Sequence, residues 1–333
     1  MKKIIVIAML LVSMMSFAQI TTTKNELMAG ADFTWGSYNP LGGEWSYVAE
    51  DNYMSFTIPG VEYQFEAKPN DMFKLFLHAD AGYLMSKYTD DGDAPANGDC
   101  FASAMYFALE PMVKAYLPNN LFVKIGLPFG FMNLTKQDED ADAESGQKLD
   151  MWANFGFDNR EIEMHGLTPW DKFEKGMAFY GKFEMGILET WEDEDTEEFQ
   201  MYLGVEGCYA YYMENMMVKP YLKYKMQLNE GSDTEPLQKD SSIDIGAVFA
   251  KDFSEQFNLE AGLDFGIKML EEENTAGDDM LNSLNIGAAA NYYVMPELDV
   301  FGGFELSMDL TSEDVDPGYA IKLGAEYTLN LLK

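Results

Sequence analysis

The chain holds only two histidines, His78 and His165, and acid–base or nucleophilic chemistry near neutral pH leans on histidine more than on any other side chain. That is thin means for an enzyme, and His78 reads as a structural or pore-lining residue. No GxxxxGK[ST] nucleotide loop is present. Cys100 and Cys208 are far apart, and Cys208 falls inside a strand pattern, where a buried free thiol is the simple expectation. A bridge between the two is the alternative for an exported chain. Asp138, Asp140, Asp142 and Glu144 alternate like the first ligands of a calcium loop, but Ala143 replaces the required glycine and Leu149 the closing acid. No resident cofactor is expected, only divalent cations loosely held by crowded carboxylates.

The residues with more to offer are charges set at every second position. His78, Asp80, Glu110, Lys182, Glu184, Glu206, Lys219, Lys223, Lys225, Glu260, Asp264, Glu305, Lys322 and Glu326 all stand between apolar neighbours. A dry core could not hold so many charges without a severe desolvation cost. A water-filled lumen removes that cost. On this reading Lys182, Lys219, Lys223 and Lys225 form a positive arc, and Glu260, Asp264, Glu305 and Glu326 a negative one. Facing arcs of opposite sign would orient polar solutes.

The elements carrying these charges are strands. From Tyr319 to Leu331 apolar side chains alternate with Ala320, Lys322, Gly324, Glu326, Thr328 and Asn330. The stretches from Phe257 and Val218 do the same, Pro220 implying a bulge or strand end in the latter. The runs exceed the usual globular strand of about 5–6 residues and match the roughly 9–11 that cross a bilayer. About fourteen such stretches are present, twelve being the alternative. The fifth is read as one strand over 121–134 and the sixth over 150–162, with a weakly patterned segment following to Lys175. Connections alternate between short (LPNN, MEN, MPE) and long acidic ones, including TKQDEDADAESGQKL and WEDEDTEE. That is the pattern of a closed antiparallel transmembrane barrel, all-β, with an acidic outer rim. Trp35, Trp152 and Trp191 are placed in an interfacial girdle, and other strand aromatics toward lipid.

Composition agrees. A net charge of −35 argues against nucleic-acid binding, and 47% hydrophobic with 14% aromatic residues argues against disorder. Lys2 and Lys3, the apolar run Ile4 to Met15, and small residues Ser16 and Ala18 predict a signal peptide over 1–18. Residues 19–333 then form a single barrel domain.

The chain resembles bacterial outer-membrane β-barrels of the porin-like kind. Such barrels end in an assembly signal, and Lys322, Gly324, Tyr327 and Leu329 stand in its register. The resemblance implies outer-membrane localisation, lipid and the barrel-assembly machinery as partners, and a channel for small hydrophilic, cation-leaning solutes. A non-transporting surface barrel, acting through divalent cations on acidic loops, is the alternative. Barrel lipases of this architecture use Ser and His near the outer rim at the lipid face. His78 is expected inward and His165 periplasmic, so neither fits.

Overall fold

The computed structural model describes residues 21–36, 52–89, 99–136, 144–159, 176–192, 196–228, 240–270, 280–311 and 317–332. The predicted signal peptide and His165 lie outside the described residues, as do Asp138, Asp140 and Asp142. The elements are β1 (Thr21–Gly36), β2 (Asn52–Asn70), β3 (Phe73–Thr89), β4 (Asp99–Tyr116), β5 (Leu121–Gly126), β6 (Phe129–Lys136), β7 (Glu144–Asp158), β8 (Gly176–Glu192), β9 (Thr196–Met213), β10 (Met216–Gln227), β11 (Ser241–Ser254), β12 (Phe257–Met269), β13 (Met280–Met295), β14 (Leu298–Asp309) and β15 (Gly318–Asn330). Every pairing is antiparallel; strands pair with their sequence neighbours except that β4 and β7 each pair with both β5 and β6, and β1 pairs with β15 to close the ring. Closure leaves no unpaired edge, the condition for a sheet in lipid.

The expected fifth strand is interrupted. β5 and β6 are two segments of one crossing, because the register does not slip between them. Gly126 faces Trp152 and Phe129 faces Leu149. Met112 likewise faces Gly126 and Leu109 faces Phe129. The cause is proline. Pro128 and Pro111 have no N–H to give, so only their carbonyls join the ladder, accepting from Asp150 N at 3.0 Å and Leu127 N at 3.1 Å. The barrel therefore has fourteen crossings.

Three other boundaries differ from expectation. The sixth crossing runs from Glu144 to Asp158 rather than from 150 to 162. The β8–β9 ladder continues to Glu192↔Thr196, so Glu192, Glu197 and Glu198 extend strands rather than a loop. Pro220 produces no bulge: Lys219↔Val248, Pro220↔Ala247 and Tyr221↔Gly246 keep one register.

Short turns cluster at one end. The β4–β5 turn bends through Asn119 and Asn120, both left-handed (φ 64° and 63°), a conformation asparagine tolerates better than most residues. At neighbouring turns Asn70 Oδ1 accepts from Met72 N at 2.9 Å and Ser254 Oγ from Gln256 N at 3.2 Å. Asn159 holds the foot of the β7–β8 pair, accepting from Phe179 N at 2.7 Å and donating to Met177 O at 3.2 Å.

The two faces of the wall differ completely. Met105, Phe155, Phe183, Met185, Val205, Leu263 and Leu323 stand on the outer face and are between 45% and 56% exposed. An apolar surface of that extent is untenable in water and is the lipid-facing belt of a membrane barrel. Trp35 packs edge-on against Tyr319 at one rim, as expected of a girdle. At the opposite rim Phe253 and Phe257 meet at 5.6 Å and Phe157 and Phe179 at 6.0 Å.

Candidate functional site

Residues directly opposite in a ladder point to the same side of the sheet, so register alone fixes the inner face. One row runs Lys182↔Glu206↔Lys223↔Asp244↔Gly266 across β8 to β12. A second runs Ala250↔Glu260↔Ala289↔Gly303↔Lys322↔Thr34 from β11 round to β1. Lys219↔Val248 and Gly287↔Glu305 belong to a third, Glu184↔Gly204↔Lys225 to a fourth. Asp264 faces Gly246, and Glu326 faces Asp299. His78 faces Glu110, and Asp80 faces Glu62. All fourteen residues singled out for the lumen thus stand on the face opposite the apolar belt. Glu144 faces Leu134 at the outer tip of β7.

Charge pairing is denser than two separate arcs would allow. Lys182 Nζ lies 3.0 Å from Glu206 and 3.2 Å from Glu184, so the positive arc is stitched by one acid of its own row and one of the next row along β8. Lys114 pairs with Asp158 at 2.8 Å, their side chains 9% and 10% exposed. Lys74 meets Glu66 at 2.9 Å, and a ring nitrogen of His78 meets Glu62 at 2.9 Å. Gln64 bridges Lys24 and Glu62. Lys322 is held more loosely, 3.8 Å from Asp32 with a side chain 44% exposed. Water and mutual pairing together allow these charges inside the ring.

Rings lie flat on the inner wall. Several direct pairs set an aromatic against a glycine, among them Gly82↔Tyr106, Gly126↔Trp152, Gly186↔Tyr202, Gly246↔Tyr221 and Gly324↔Phe301. A Cβ at any of these glycines would fall within 2.1 to 2.6 Å of the facing aromatic side chain, so each glycine exists to let a ring lie down. Lysines then lie on the rings. Lys225 is 4.4 Å from the Tyr202 centroid, Lys223 4.8 Å from Tyr221, Lys124 5.6 Å from Trp152 and Lys322 5.7 Å from Phe301, within cation–π range. Glycine, ring and ammonium form layers that keep bulk against the wall and out of the lumen.

Two sequence expectations are overturned here. Trp152 is not in a girdle: it faces inward over Gly126 and its indole N–H donates to Glu110 Oε1 at 2.9 Å. Strand aromatics are not all lipid-facing, since Tyr106, Tyr202, Tyr221, Tyr293 and Phe301 line the interior. Tyr221 OH donates to Asp264 at 2.6 Å. An inward aromatic reads like an outward one until its partner glycine is known. Glu62, Gln64 and Glu66 were also missed, although Val61, Tyr63 and Phe65 alternate with them plainly. Cys208 is a buried free thiol, the simpler of the two expectations.

The lumen is uneven. Toward the short-turn end, the inward Ala178, Ala210 and Met217 are wholly buried and Ala250 nearly so. Lys74, Lys114, Lys219 and Asn154 are buried nearby. Higher up, two cavities open on the inner wall. One of about 350 Å³ includes Glu260, Gly262, Gly287, Gly303, Glu305 and Lys322 in its lining. The other, about 540 Å³, includes Tyr202, Lys225, Asp240, Asp244 and Lys268.

No family model and no curated protein matches the chain. Solved structures do match in fold. A TodX monoaromatic hydrocarbon channel with the deltaS2 mutation aligns over 92% of this chain and 90% of its own, at 8% identity and a TM-score of 0.50. The deltaS2S3 mutant of TodX aligns over 92% and 91%, at 10% identity and 0.51. A Pseudomonas aeruginosa FadL homologue aligns over 92% and 90%, at 9% identity and 0.48. Closed ring, apolar belt and charged interior together identify the fold as a closed transmembrane β-barrel, the fold that the TodX structures share.

Proposed function

We propose that the protein is a passive channel of the bacterial outer membrane for small hydrophilic solutes, with a preference for cations, and not an enzyme. The carrying observation is the division of the wall between the rims: there the strand charges named above face the inside, and exposed apolar side chains face out. The ring-on-glycine layers support an open upper lumen. Inward carboxylates outnumber inward lysines, and most lysines are committed to an acid or a ring, so the residual field is negative. A hydrocarbon cargo, which the name of TodX gives for that protein, would have to cross this charged wall unaided. Loose divalent binding at the acid-bearing outer strand ends belongs to the same reading.

Liposome swelling provides the test. Vesicles containing the folded protein should swell in pentoses and hexoses, swell far more slowly in trisaccharides, and admit cationic amines faster than carboxylates of equal size. Vesicles no leakier than empty ones would refute transport. The buried inner layer at Ala178, Ala210 and Met217 favours a second reading, a closed surface barrel. Under it, folded protein would sit in the membrane and pass nothing.

A further inference from the structure

We propose that the 350 Å³ recess on the β12–β15 wall is a binding station for short zwitterionic peptides on their way through the channel; this rests on the channel reading above. Three features carry it. The first is a break in the ring-on-glycine rule. The glycines at Gly82, Gly126, Gly186, Gly246 and Gly324 lie beneath rings, whereas a Cβ at Gly262 would meet nothing within 4 Å. At Gly287 and Gly303 the nearest atoms would be 3.6 and 3.5 Å away. Gly262↔Gly287 and Ala289↔Gly303 are direct pairs, so this patch of wall has no side chain beyond a methyl and faces open lumen.

The second feature is the frame. Glu260 stands beside the patch on β12, Glu305 beside it on β14, and Lys322 beyond it on β15. Charges of opposite sign therefore flank the cavity. Lys322 is 3.8 Å from Asp32 and its side chain is 44% exposed, so the ammonium is not locked to a partner as those of Lys182 and Lys114 are. The third feature is span. Glu260 and Lys322 share one ladder row three strands apart, about 14 Å between backbones at ~4.8 Å per strand. Side chains reaching inward shorten the gap between their charges. An extended dipeptide or tripeptide measures about 7–10 Å at 3.3–3.6 Å per residue. Its ammonium would go to Glu260 and Glu305 and its carboxylate to Lys322, with its backbone over the bare floor. A simple cation would leave Lys322 unused, and a simple anion would meet two carboxylates.

Equilibrium dialysis of the folded protein in detergent, with triglycine, N-acetyl-triglycine and triglycine amide as probes, tests this. Triglycine should bind at millimolar concentration and each capped form about tenfold more weakly. Gly262→Val, whose side chain enters open space, should fold normally and lose triglycine at least tenfold. Glu260→Gln should remove the preference for triglycine over its N-acetyl form, and Lys322→Gln the preference over its amide. Equal binding of all three probes, or full binding by Gly262→Val, would overturn the proposal. Sugar permeation without triglycine binding would sink the station and leave the channel standing; binding without any permeation would refute the channel and, with it, a station in transit.

Discussion

Replacing Lys114 with methionine should cost the folded barrel about 3–5 kcal/mol, the penalty for leaving a buried charge without its partner. The ammonium lies 2.8 Å from Asp158 where both side chains are about nine-tenths hidden, and 4.4 Å from the Phe122 ring. Asp158 is then left nine-tenths buried without its cation. Double replacement, Lys114→Met with Asp158→Leu, removes both charges and should recover most of the loss, since an apolar pair of similar volume is often neutral or better. Urea titration of the refolded protein in micelles measures both. A single variant losing under about 1 kcal/mol would mean that water reaches this pair and screens the charge left behind.

Gly246→Val should be nearly as damaging, and Gly262→Val harmless, though both place valine on the inner face of adjacent strands. At Gly246 a Cβ would lie 2.3 Å from the Tyr221 ring and 2.7 Å from the Leu263 carbonyl oxygen. The ring must leave, breaking the 2.6 Å bond to Asp264 and the contact with Lys223. Overpacking plus a lost charged hydrogen bond amounts to about 2–4 kcal/mol. At Gly262 nothing is met, and valine suits a strand better than glycine. Equal stability of the two variants would show that rings do not lie where the ladder puts them.

The strands and their inner face were legible because period two is a property of each segment alone. Asp264, Lys223 and Glu326 could be assigned to the lumen from their own neighbours. What required a partner was not legible. Trp152 looks interfacial beside acidic sequence, and only its register with Gly126 turns it inward as an intelligible choice. The interruption at Leu127–Pro128 needs Pro111 on the next strand, 17 positions earlier, for both missing donors to be seen together (128 − 111 = 17). The stitching of Lys182 by Glu184 and Glu206 likewise follows from how β8 meets β9. Gly324 shows the same limit from the other side. It fits the expected assembly signal, yet the Phe301 ring lying on it already demands glycine there.

Planar-bilayer recording tests the central claim most directly. Purified, folded protein should give stepwise conductance, with a reversal potential under a salt gradient on the cation-selective side. Raising salt should weaken that preference as the Debye length falls from about 10 Å at 0.1 M to about 3 Å at 1 M. Asp264→Asn with Glu260→Gln should reduce the preference while leaving the barrel folded. Silent membranes from well-folded protein, or an anion-selective reversal potential, would contradict the account.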